Sequence, residues 1–103
     1  MSIEFRWNEW NLDHVAKHGV QPEEAEFVVR NARPPFPEER GDDKWRVWGQ
    51  TGGGRYLQVV FVLDADETIY VIHSRPLTEI EKKRYRKRKK KWKPPRRPSG
   101  TGK

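Results

Sequence analysis

Arg75, Glu81, His73, Tyr85, Tyr56, Gln58 and Lys82 are the residues of this chain whose types and spacing are fit for chemistry. A phosphodiester beside a ribose 2′-hydroxyl can be cut without a metal when three roles are filled. A base takes the hydroxyl proton and an acid protonates the leaving oxygen. A cation stabilises the charge gathered on the phosphorane, a task suited to the planar fork of an arginine. A cluster of Arg, Glu, His, Tyr and Lys contains all three. Thr78 and Glu81 also have the T-x-x-E spacing of a capping box, which explains Glu81 as a helix-start residue in its own right.

These residues need a sheet and a helix to bring them together. The segment 44–50 (KWRVWGQ), the segment 55–63 (RYLQVVFVL) and the segment 68–74 (TIYVIHS) read as three strands. TGGG at 51–54 and DADE at 64–67 read as hairpin turns, so the three form an antiparallel meander. In the simplest register Gln50 faces Arg55, Trp48 faces Leu57, Gln58 faces His73 and Tyr56 faces Arg75. One face then carries Trp48, Leu57, Val59, Phe61, Tyr70 and Ile72, fit to receive two helices. The other carries Val47, Val60, Val62, Ile69 and Val71 and turns polar at Tyr56, Gln58, His73 and Arg75. A slip of one residue inverts every such assignment.

Ahead of the meander, 3–7 (IEFRW) reads as an edge strand. Asn8 caps a first helix to about His18, and Gly19 stops it. Pro22 opens a second helix whose early Glu23, Glu24 and Glu26 suit the helix dipole. The stretch 33–43 (RPPFPEERGDD) holds three prolines and reads as loop. A last helix starts near Thr78 and runs to about Lys91. The expected architecture is therefore one α+β domain over 1–91. It has a small antiparallel sheet, two N-terminal helices and a basic C-terminal helix. Residues 92–103 read as a flexible, basic, Pro-rich tail.

Charge is unevenly spread over the 103 residues. Residues 1–81 hold nine Lys/Arg and all 15 acids, a net of −6, whereas residues 82–103 hold 13 Lys/Arg and no acid, a net of +13; together they make the +7 of the chain. A cationic end of this kind attracts polyanions, above all nucleic acid. Lys82, Arg84, Arg86, Lys87 and Arg88 are the candidate nucleic-acid contacts. Cysteine is absent, which excludes disulfides, thiolate catalysis and Cys-ligated metals. His14 and His18 lie four apart but lack a third ligand nearby, so no metal and no cofactor is expected. No apolar run is long enough to span a membrane, and the opening MSIEFRWNEW lacks the order of a signal peptide. The expected location is the cytoplasm.

Three stretches in order resemble one family: FRWNEWNLDHVAKHGVQPEEAE, WGQTGGGRYLQVVF and IHSRPLTEIEKKRYRKR, together spanning about residues 3–88. They resemble the BrnT family, ribonuclease toxins of bacterial type II toxin–antitoxin systems. The resemblance implies a RelE-like fold, metal-independent RNA cleavage, and a dimeric BrnA-like antitoxin that covers the toxin and represses the shared operon. By motif it implies Arg75 as the leading catalytic residue, followed by Arg55, Glu81, Lys82 and Tyr85. The sequence departs from the family pattern at His73 and Ser74, where a small or hydroxyl residue followed by Ala is usual. It departs again at Lys82, where Arg is common; Lys keeps the charge but loses bidentate phosphate contact.

The expected function is an endoribonuclease toxin acting by 2′-hydroxyl attack. Arg75 and Arg55 hold the phosphate, Glu81 or His73 moves the protons, and Tyr85 orients the RNA. The competing expectations are a non-catalytic nucleic-acid-binding module of the same fold and an interaction protein that uses its basic tail.

Overall fold

The computed structural model describes residues 3–91, with side chains to Arg88. Its elements in chain order are β1 (Phe5–Arg6), α1 (Glu9–Ala16), α2 (Pro22–Arg30), β2 (Glu38–Glu39), β3 (Lys44–Gln50), β4 (Tyr56–Leu63), β5 (Ile69–Pro76) and α3 (Glu79–Lys91). The strands form one sheet in the order β1-β5-β4-β3-β2. β3, β4 and β5 pair antiparallel, whereas β1 runs parallel to β5, so the sheet is mixed rather than purely antiparallel. The expected edge strand shrinks to two residues. A fifth strand lies inside the proline-rich stretch read as loop, where Glu38 and Glu39 pair with Arg46 and Trp45.

Helix starts follow their caps. The Asn8 side chain accepts from the Asn11 backbone N–H, and Asn11 accepts in return from the Asn8 N–H at 2.7 Å. Asn11 is fully buried, and its amide donates to the Arg6 carbonyl, which fixes α1 against the end of β1. α1 ends at Ala16, two residues short of His18. α2 begins on Pro22 with Glu24 accepting from the Gln21 N–H. Val15, Val20, Ala25 and Val28 are buried with Val47, Leu57, Val59 and Val71 in the core. β3 and α2 approach closely at Gly49, where a Cβ would stand 2.9 Å from Val28 Cγ1. A second group of rings, Phe36, Trp48, Tyr56 and Tyr85, joins the 33–37 stretch to α3.

The register differs from the simplest one, for a reason common to both turns. Thr51 N–H donates to Arg55 O and Arg55 N–H returns to Thr51 Oγ1, so the loop holds three residues, not four; Gly54 closes it at φ +98°. Asp64 N–H likewise donates to Thr68 O, and Glu67 closes that loop at φ +67°. Each turn therefore moves the pairing by one. Trp48 faces Gln58, Val47 faces Val59 and Gln50 faces Tyr56. The expected faces of Trp48 and Val47 are exchanged. A bulge in the β4–β5 pairing at Val60/Phe61 adds another residue, so that Gln58 faces Arg75 and Val60 faces His73.

Candidate active site

Arg75 is the next-to-last residue of β5, and α3 opens four residues later. A short link leaves little freedom between them. The strand therefore delivers a guanidinium to the first turn of the helix. Arg75 meets Glu81 there in a two-pronged pair: Nη1 donates to Oε1 at 2.7 Å and Nη2 to Oε2 at 2.8 Å. Nη1 also donates to the Pro76 carbonyl at 3.0 Å and Nη2 to Gln58 Oε1 at 3.3 Å. Glu81 Oε1 accepts in addition from the Thr78 N–H at 2.8 Å, and Thr78 Oγ1 accepts from the Glu81 N–H. The capping box and the arginine pair are one object: the same carboxylate starts the helix and holds the strand's last cation.

Electrostatics follow from that geometry. The hydrogen bonds from Arg75, then the Thr78 backbone and the charge of Arg75, hold the Glu81 carboxyl at about 2, against 4.5 for a free one. Glu81 in turn raises the Arg75 guanidinium. Glu81 is thus an anion at neutral pH and a poor acceptor of protons. Its two oxygens fix where the Arg75 guanidinium points. Behind the pair stands a support the sequence reading left in the core: Trp48 Nε1 donates to Gln58 Oε1 at 3.0 Å. One amide oxygen thereby accepts from an indole and a guanidinium. Only the observed register makes Trp48 and Gln58 neighbours, so the length of the TGGG turn was the signal for this support.

Around the pair, Tyr56 is the hub. The ring of Tyr85 meets it edge-on at 6.0 Å, and Lys82 Nζ and the Arg86 guanidinium lie 5.9 and 5.7 Å from its centroid. Burial raises the Tyr85 phenol, which stays protonated at neutral pH. His73 lies against His18, with ring centroids 5.4 Å apart. Burial first, then the charges of His18, Arg75 and His14, push His73 below 6.5, so it is neutral at pH 7.

Arg55 is held elsewhere. Its Nη1 donates to Glu24 at 2.9 and 3.1 Å and to the Gly19 carbonyl at 2.9 Å, tying the hairpin to the start of α2. It shares no hydrogen-bond partner with Arg75. Of the basic residues on α3, Lys82 pairs with Glu79 and Arg88 with Glu38, while Arg84, Arg86 and Lys87 are exposed. Glu38 also takes Arg46 at 2.7 Å, so one carboxylate bridges β3 to α3. No three potential metal ligands come together among the described residues. The expected tail, 92–103, lies outside the described residues.

Three helices and a five-stranded mixed sheet make an α+β fold similar to that of BrnT. The comparison that carries this is the crystal structure of the Brucella abortus ribonuclease toxin BrnT. It superposes with a TM-score of 0.60 at 22% identity, over 76% of this chain and 100% of that one. No protein-family model and no curated protein matches the sequence. No helix among the described residues is long and apolar enough to cross a membrane.

Proposed function

We propose that this protein is a metal-independent endoribonuclease, the toxin of a BrnT/BrnA-like pair with a RelE-like active face, working in the cytoplasm. The observation that carries the reading is the Arg75 fork, aimed by Glu81 and Gln58 at the junction of β5 with a helix rich in cations. Arg75 stabilises the phosphorane. His73, neutral at pH 7, takes the 2′-hydroxyl proton as the P–O5′ bond breaks, and water protonates the departing 5′-oxygen. Tyr85 is buried against Phe36 and Tyr56, and it orients the RNA indirectly, by holding the half-buried Tyr56 ring in place. Arg84, Arg86 and Lys87, exposed on α3, hold flanking phosphates, and Lys82 and Arg88 join them by exchanging Glu79 and Glu38 for phosphate, whereas Arg55, held by Glu24 and Gly19, positions the hairpin. A small BrnA-like antitoxin covers this face when growth is to continue.

The test is cleavage of RNA by the purified protein with chelator present, followed by analysis of the product ends. A 2′,3′-cyclic phosphate is expected, and Arg75→Ala should abolish cutting while retaining most of the affinity for RNA. One observation favours a second reading, a non-catalytic RNA-binding module. Each Nη of Arg75 already gives two hydrogen bonds to protein acceptors, whereas the exposed cations of α3 are open to phosphate. Equal absence of cutting by parent and variant would establish that reading.

A further inference from the structure

α1 and β5 together carry a row of rings that the chemistry above does not use. Trp10, on the first turn of α1, is 49% exposed, an unusual state for the largest side chain on so small a body. His14 stacks on it with centroids 3.6 Å apart and planes 27° from parallel. Tyr70 of β5 lies on at 6.2 Å with planes 22° from parallel. The rings are held, not loose. His14 Nδ1 donates to the Trp10 carbonyl at 2.8 Å, and the Tyr70 hydroxyl donates to Asn8 at 3.1 Å. Arg6 covers the Tyr70 ring at 4.1 Å and is itself fixed by Asp64. Four residues after His14 and past the end of α1, His18 meets His73 edge-on. His73 stands two residues before Arg75 on β5, so the row runs toward the β5–α3 junction.

We propose that this row, with Trp10 at its centre, is a stacking track for the bases of single-stranded RNA approaching Arg75. The inference rests on the ribonuclease reading and extends it to how substrate is held. Its composition favours bases over a protein partner. His14 takes one face of Trp10 and Arg6 takes a face of Tyr70, so the exposed half of Trp10 is the surface left for a base, and the polar ring edges beside it suit an unpaired strand. An aliphatic anchor would suit a protein partner, and the exposed Leu12 of α1 points away from this row. At 100° per residue it lies well round the helix from Trp10 and His14. Stacking also supplies affinity that an acidic body cannot supply by charge.

The experiment measures binding of a 2′-O-methyl oligoadenylate of about ten nucleotides, which cannot be cut, to the full chain over a range of salt. Trp10→Ala should weaken binding about 5- to 100-fold, as loss of one base–ring stack does. Trp10→Phe should stay within about threefold, because a ring face remains. Both variants should keep the parent's salt slope, whereas removing the charges of Arg84 and Lys87 should lower it by about one per cation. Equal affinity of parent and Trp10→Ala, or a salt slope that falls with Trp10→Ala, would overturn the track while leaving RNA cleavage by the parent intact. A parent that neither cuts RNA nor binds the oligonucleotide would overturn the track and the proposed function together.

Discussion

Replacing Glu81 by Gln tests whether one carboxylate both caps α3 and aims Arg75. The substitution keeps size and one acceptor oxygen but removes the charge and one prong of the pair. The fall of the carboxyl from 4.5 to about 2 corresponds to at most about 3 kcal/mol of stability, at about 1.36 kcal/mol per pH unit. Arg75 and Glu81 keep 27% and 20% of their side-chain surface in water, and screening reduces the figure to about 1–2 kcal/mol. The sign follows from the depressed native value. The stabilisation is complete above the unfolded value of 4.5 and disappears as pH falls through about 2. Thermal unfolding followed by circular dichroism should place Glu81→Gln about 5–15 °C below the parent at pH 7. The gap should be unchanged at pH 6 and should close steadily between about pH 4.5 and 2. A gap that is the same at pH 7 and pH 2.5, or none at pH 7, would refute the shared-carboxylate account.

Three further outcomes are expected. The rate of RNA cleavage should rise with pH along an acid limb whose midpoint lies below 6.5, because burial and neighbouring positive charge disfavour protonated His73; His73→Gln should remove that limb. Trp48→Phe keeps the ring but deprives Gln58 of its indole donor, and urea unfolding should show a loss of about 1 kcal/mol together with slower cleavage at unchanged RNA affinity. Gly49→Ala should lower stability by about 1–3 kcal/mol in the same assay, since its Cβ would meet Val28 Cγ1 at 2.9 Å across the β3–α2 contact.

What the sequence made legible were features set by local chemistry. Asn8, Pro22 and the Thr78–Glu81 spacing mark helix starts within a residue of where they occur, because a cap is made by neighbours in the chain. The juxtaposition of Arg75 with Glu81 was legible for the same reason: six residues and one turn separate them. Tertiary choices were not. Glu67 adopts a positive φ that its side chain does not advertise, and TGGG offers several closures of which the structure uses one. A one-residue difference at each turn then moved Trp48 from the expected helix-bearing face to Gln58. β2 escaped notice because the prolines beside it read as loop, and its two residues are fixed by pairing with β3, not by their own preference. Arg55 looked like a partner for Arg75 by motif order, yet Glu24, 31 positions earlier, determines where its guanidinium rests.

The same pairings bear on how an acidic body would serve the proposed RNA-directed function. Arg6, Arg46, Arg55 and Arg75 each hold a carboxylate of the body, namely Asp64, Glu38, Glu24 and Glu81. Those four acids are therefore structural counter-ions, and the body's net of −6 comes from the acids in excess of its cations. The same contacts neutralise these four arginines, so under the proposed function long-range attraction falls to the exposed cations of α3. Recruitment and chemistry are thus separated along one helix. Its first turn holds an arginine in a fixed, charge-balanced frame where aim matters. Its later turns present Arg84, Arg86 and Lys87 to solvent, where only net charge and reach matter. A uniformly basic body would draw RNA everywhere with equal strength. Under the proposed function, an acidic body with one basic helix draws it toward that helix, whose first turn holds Arg75.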